Sequence, residues 1–119
     1  LGESGGELRV PNRPETAATA PPVVRLAVEI DMTNCSHVGI DLAAAYGPGV
    51  KVVIADMTRT TFCDSSAVRA LLQAQKLATS HGIELRLVVI SQAVLRIFEL
   101  TGVAPMLRLY PALEAALAA

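Results

Sequence analysis

Hydrophobic positions change their period several times along the chain, and each change marks a predicted element. Val23-Val24-Arg25-Leu26-Ala27-Val28-Glu29-Ile30 alternates, placing Val24, Leu26, Val28 and Ile30 on one face of a half-buried strand that ends at Asp31. Thr33, Asn34 or Ser36 can cap a helix next. In it Val38, Leu42 and Tyr46 recur at helical spacing, Gly39 weakens it, and Gly47-Pro48-Gly49 stops it. From Val50 to Asp56 the β-formers are nearly continuous, the pattern of a strand covered on both faces. Ser65 and Ser66 stand where a further helix needs a capping oxygen, and no Gly or Pro follows until Gly82. His81-Gly82 reads as that helix's C-terminus, where a cation suits the dipole, so His81 is explained without chemistry. Ile83–Ile90 is another strand, apolar throughout its second half. Ser91 caps a helix over Gln92–Thr101 with Val94, Leu95, Ile97 and Phe98 inward, closed by Gly102. Met106–Tyr110 forms a short strand, and Pro111 opens a last helix carrying Leu113, Ala116 and Leu117.

Strand and helix thus alternate from residue 23 to the end. That order predicts a single α/β domain over 23–119, with a central, mostly parallel β-sheet of four to five strands and about four helices. Residues 1–22 hold four of the seven prolines (Pro11, Pro14, Pro21, Pro22) and read as an irregular segment, with a short edge strand at Glu7-Leu8-Arg9-Val10.

Composition narrows the classes of function. The chain has 119 residues, 52% of them hydrophobic, enough for one domain with a real core. A formal net charge of -1 with no basic block gives no footprint for nucleic acid or an anionic membrane, so binding must rely on shape and apolar contact. No apolar run approaches a membrane span, and Leu1-Gly2-Glu3-Ser4-Gly5-Gly6 lacks the features of a signal peptide. The expectation is a cytoplasmic protein, monomeric when free. The two cysteines, Cys35 and Cys63, make neither a disulfide framework nor a zinc spacing; they read as reduced thiols, with a redox role as the sharper alternative.

Little points to catalysis, a metal or a cofactor. The serines lack a Gly-x-Ser-x-Gly elbow, and neither His37 nor His81 is placed to act as their base. Gly47-Pro48-Gly49 is a turn before a strand rather than a phosphate cradle. Asp56, at the end of its strand, invites comparison with the acceptor of a phosphorylated receiver domain. Glu29 and Asp31 would then supply the acidic pair, but the late-strand lysine is missing, since Lys51 and Lys76 are the only lysines.

The stretch Phe62-Cys63-Asp64-Ser65-Ser66-Ala67-Val68-Arg69-Ala70-Leu71-Leu72 carries more. A strand runs into it and an amphipathic helix runs out, so two hydroxyls and a carboxylate meet at a helix N-terminus, which tolerates an added anion. Ala67, Ala70, Leu71, Ala74, Leu77 and Ala78 form the expected core stripe. Val68 and Leu72 fall off it beside Arg69. They read either as the margin of a wide core stripe or as a docking face next to the serines, each contributing roughly 1.5–3 kcal/mol when covered.

Glu29-Ile30-Asp31, Val52-Val53-Ile54-Ala55-Asp56-Met57, Thr61-Phe62-Cys63-Asp64-Ser65-Ser66, Ser91-Gln92-Ala93-Val94 and Leu100-Thr101-Gly102, in this order, resemble the STAS domain of anti-anti-sigma factors over about residues 23–118. The resemblance implies a binding protein, not an enzyme. Its partner would be an anti-sigma factor that is also an ATP-dependent serine kinase; binding frees a sigma factor, and phosphorylation of the first serine of the motif ends the binding. It implies Ser65 as phosphoacceptor, flanked by Asp64 and Ser66, with Asp31 nearby and a partner surface that includes Val68, Arg69 and Leu72. The family usually has Gly-Leu-Gly where this chain has Ala67-Val68-Arg69, and a Gly where it has Val28. A different use of the same domain is a STAS scaffold or regulatory subunit of a transport system, without phosphorylation.

Overall fold

A computed structural model describes residues 20–119; the expected edge strand at residues 7–10 lies outside them. In chain order the elements are β1 (Val23–Arg25), β2 (Glu29–Ile30), α1 (Cys35–Ala43), β3 (Val52–Met57), β4 (Phe62–Cys63), α2 (Ser65–Ser80), β5 (Glu84–Val89), α3 (Gln92–Leu100), a 3-10 turn (Ala104–Met106), β6 (Arg108–Tyr110) and α4 (Leu113–Ala118). The domain is α/β, as its alternating pattern predicts. Four strands form a parallel sheet in the order β1-β3-β5-β6, and β2 and β4 form a separate parallel pair.

The sheet divides the core in two. On one face Val53, Ala55 and Met57 of β3 and Leu85, Leu87 and Val89 of β5 pack with buried residues of α1, α2 and α3. The Tyr46 hydroxyl donates to the Ala74 carbonyl at 3.0 Å, tying the end of α1 to α2. On the other face the next residues in register, Ile54 and Val88, pack under Ala116 of α4. This period-two split is why β3 and β5 read as continuous apolar runs. The buried Arg86 anchors α4. Its Nη1 donates to the Ala116 carbonyl and its Nε to Glu84, each at 2.7 Å, and its guanidinium lies 5.9 Å from the Tyr110 ring centre. Ala116 is the inward residue of α4, whereas Leu117, expected inward, is 44% exposed.

The single strand expected over Val23–Ile30 is instead two. After β1 the chain leaves β3: the Leu26 N–H still donates to the Asp56 carbonyl, but the Thr60 hydroxyl donates to Ala27 at 2.7 Å and the Thr61 N–H to Val28 at 2.8 Å. Residues 26–28 are therefore stitched to the connection between β3 and β4, and β2 pairs with β4. Leu26 and Ile30 stay buried, but Val28 between them turns outward, so the alternation breaks where the partner changes.

Candidate functional site

The β2–β4 register assembles the site. Ile30 stands opposite Cys63, so Asp31 and Asp64 leave the ends of neighbouring parallel strands together, at a strand spacing of about 4.8 Å. Asp64 is the N-cap of α2: the Ala67 N–H donates to its Oδ1 at 3.0 Å. The Met32 N–H donates to its Oδ2 at 3.2 Å. One carboxylate thus caps α2 and holds the loop between β2 and α1. Capping, expected of Ser65 or Ser66, falls to Asp64, which leaves both hydroxyls uncommitted to it.

Asp31 organises its own loop. The Thr33 hydroxyl and the Thr33 N–H both donate to its Oδ1, and its backbone N–H donates to the Asn34 side chain. The Thr33 hydroxyl, then the Thr33 N–H, holds the Asp31 carboxyl below its ordinary pKa of 3.8. The Asn34 amide donates in turn to the Glu29 carbonyl at 2.8 Å.

Ser65, the first residue of α2, is exposed; Ser66 is half-buried and Arg69 is exposed one turn on. Two of the expected docking residues move. Val68 is 5% exposed and belongs to the core, and Leu72 is half-buried against it. The helix is turned so that Val68 tucks under while Leu77, expected inside, is 42% exposed. Val68 and Leu77 lie on opposite margins of the apolar stripe, and periodicity alone does not decide which margin faces the core.

The open apolar surface is consequently on the other side of α2, in a groove of about 600 Å³ between α1 and α2. Ser66, Arg69, Ala70 and Leu77 line one wall; Met32 and Ile40 stand across from them. Met32 is 76% and Ile40 63% exposed. Among the described residues Arg69 is the one charged side chain in that lining. Ile40 could have been found from sequence, because it sits opposite Val38 and Leu42 on the helical wheel of α1. Met32 has no such signal; it stands in a loop, where no period applies.

Cys63 is buried, and burial first, then the charge of Asp64, pushes its thiol up to about 11. An enclosed, protonated thiol is a poor nucleophile. Cys35, half-buried at the start of α1, borders the groove. Asp56 is buried on the α4 side of the sheet, accepts from the Thr58 N–H at 2.9 Å and lies 4.0 Å from Arg25. It therefore plays no part at the α2 terminus. Among the described residues no cluster of His, Cys, Asp and Glu could hold a metal ion, and no helix is long and apolar enough to cross a membrane.

A search of curated protein sequences gives no match. The fold is similar to the crystal structure of a sulfate transporter family protein from Wolinella succinogenes, with a TM-score of 0.72, 20% sequence identity, and coverage of 82% of this chain and 81% of that one. The STAS domain model matches residues 11–116, nearly the whole chain. With the parallel sheet, the Asp64-capped helix and this match together, the chain belongs to the STAS domain family.

Proposed function

We propose that this STAS domain is an anti-anti-sigma factor: it binds an anti-sigma factor with serine kinase activity, releases a sigma factor, and is switched off by phosphorylation of Ser65. The observation that carries the reading is an exposed Ser65 at the start of α2, with its cap supplied by Asp64, beside an apolar groove. A hydroxyl free of capping duty can enter a kinase site without uncapping its helix. In the transfer, Ser65 Oγ bonds to the γ-phosphorus of ATP, the bond to the β-phosphate oxygen breaks, ADP leaves, and the hydroxyl proton passes to the kinase's base.

The groove supplies the docking surface. Covering Met32, Ile40 and Leu77 contributes roughly 3–5 kcal/mol before the costs of association. A phosphoserine then adds about -1.5 to -2 charges beside Asp31 and Asp64. For a partner carboxylate ~6 Å away, at an effective dielectric of ~20, each unit of charge costs roughly 2–3 kcal/mol. Each unit of charge thus weakens binding by one to two powers of ten, and the whole phosphoserine by roughly two to four. The helix dipole offsets part of this charge within the domain itself, so the partner is expelled without unfolding.

Titration calorimetry against the anti-sigma kinases encoded in the same genome tests the reading. Ser65→Glu should bind ten- to a hundredfold more weakly than wild type, with an unchanged melting temperature. Equal affinity would reject it. The competing reading is a STAS scaffold of a transport system, favoured by Arg69 standing where anti-anti-sigma factors usually have Gly; it expects no effect of charge at residue 65.

A further inference from the structure

We propose that Arg69 is the arm that grips a phosphoryl group on Ser65, and that in doing so it withdraws its positive charge from the α1–α2 groove. The inference rests on the reading of Ser65 as phosphoacceptor, and it names how the phosphorylated state is held. Ser65 and Arg69 are separated by four residues on one continuous helix, and both are exposed. That spacing brings their Cβ atoms to about 5–6 Å and puts the anion on the N-terminal side, the favourable order for an ion pair. Side chains on a helix lean toward its N-terminus, so the guanidinium of Arg69 reaches back over the turn that carries Ser65.

Among the described residues Arg69 makes no ion pair and no side-chain hydrogen bond. Among the described residues the ion pairs are Arg25 with Asp56, Arg86 with Glu84 and Arg108 with Glu84, none of which includes Arg69. The two carboxylates near Ser65 are engaged elsewhere, Asp64 with the Ala67 and Met32 N–H groups and Asp31 with Thr33. Before phosphorylation Arg69 borders the groove and can meet a carboxylate of the docked protein. A dianionic phosphate four residues away offers a planar guanidinium two oxygens at once and a higher charge. The groove then loses its cation at the moment the site gains negative charge, so both changes oppose docking.

The test uses the full chain with phosphoserine placed at residue 65 by genetic encoding, followed through pH by phosphorus NMR. The ordinary second pKa of phosphoserine is about 6. With Arg69 present it should lie about half a pH unit below its value in Arg69→Ala, the size expected of an exposed, charge-assisted pair. Arg69→Lys should recover only part of the shift, and Arg96→Ala, on α3, should leave it intact. Identical titrations of the phosphorylated wild type and Arg69→Ala would overturn the proposal. Because the phosphate is installed without a kinase, failure of every kinase to modify Ser65 would reject the phosphoswitch while leaving the grip standing; a modified Ser65 with an unmoved titration would do the reverse.

Discussion

Replacing Asp64 by alanine separates its structural duty from any contact with a partner. The substitution removes the acceptor for the Ala67 N–H, the N-cap bond of α2, which costs about 1 kcal/mol, with a range of roughly 0.5–2. It also removes the bond from the Met32 N–H, longer at 3.2 Å and exposed, for roughly 0.5–1 kcal/mol more. The sum, about 1–3 kcal/mol, corresponds to a fall in melting temperature of roughly 4–15 °C for a domain of this size. Asparagine is as good a cap as aspartate, so Asp64→Asn keeps the bond to Ala67. Its amide nitrogen then faces the Met32 N–H, donor against donor, and the second bond is lost. Asp64→Asn should therefore fall between wild type and Asp64→Ala in thermal and urea denaturation followed by circular dichroism. An alanine variant within ~2 °C of wild type, or an asparagine variant as unstable as the alanine one, would refute the dual role.

Other consequences are as direct. Val68→Ala should cost about 1.5–3 kcal/mol in urea unfolding, because Val68 is core, whereas Ile40→Asp should keep the stability within ~0.5 kcal/mol and abolish docking of the anti-sigma factor in calorimetry. The Asp31 carboxyl is held below its ordinary value by Thr33, so its contribution is fully present above pH 3.8 and is lost as pH falls through the lower folded value. In urea titrations at a series of pH values, the gap between wild type and Asp31→Asn should hold steady near neutrality and close under acid; a gap that widens as pH falls would show the sign to be wrong. With its thiol pushed up to about 11 and buried, Cys63 should resist a disulfide reagent at neutral pH until denaturant is added, while Cys35 reacts in the folded protein. Equal native rates for the two cysteines would contradict the burial.

Most of the sheet and all four helices described here are legible in the sequence because their signals are local. Gly82 and Gly102 close helices in left-handed turns, at φ 71° and 76°, and Ser91 accepts from the Val94 N–H as its position before α3 predicts. Where a residue's role depends on what lies across from it, the sequence falls short. Residues 23–30 alternate throughout, and only the hydrogen bonds from Thr60 and Thr61 show that the chain changes partners at Leu26. Capping by Asp64 rather than Ser65 shifts one residue against expectation, a difference that local composition does not resolve, since all three side chains can cap. The groove was hidden for the same reason: the apolar stripe of α2 fits two rotations, and packing against the sheet and α1 selects the one that buries Val68 and exposes Leu77.

Whether Ser65 is the phosphoacceptor of a binding switch is decided by intact-mass analysis after incubation with ATP and each candidate anti-sigma kinase. One of these kinases should add a single phosphate to the wild type and none to Ser65→Ala. No phosphate with any of them, or a phosphate that persists in Ser65→Ala, would contradict it.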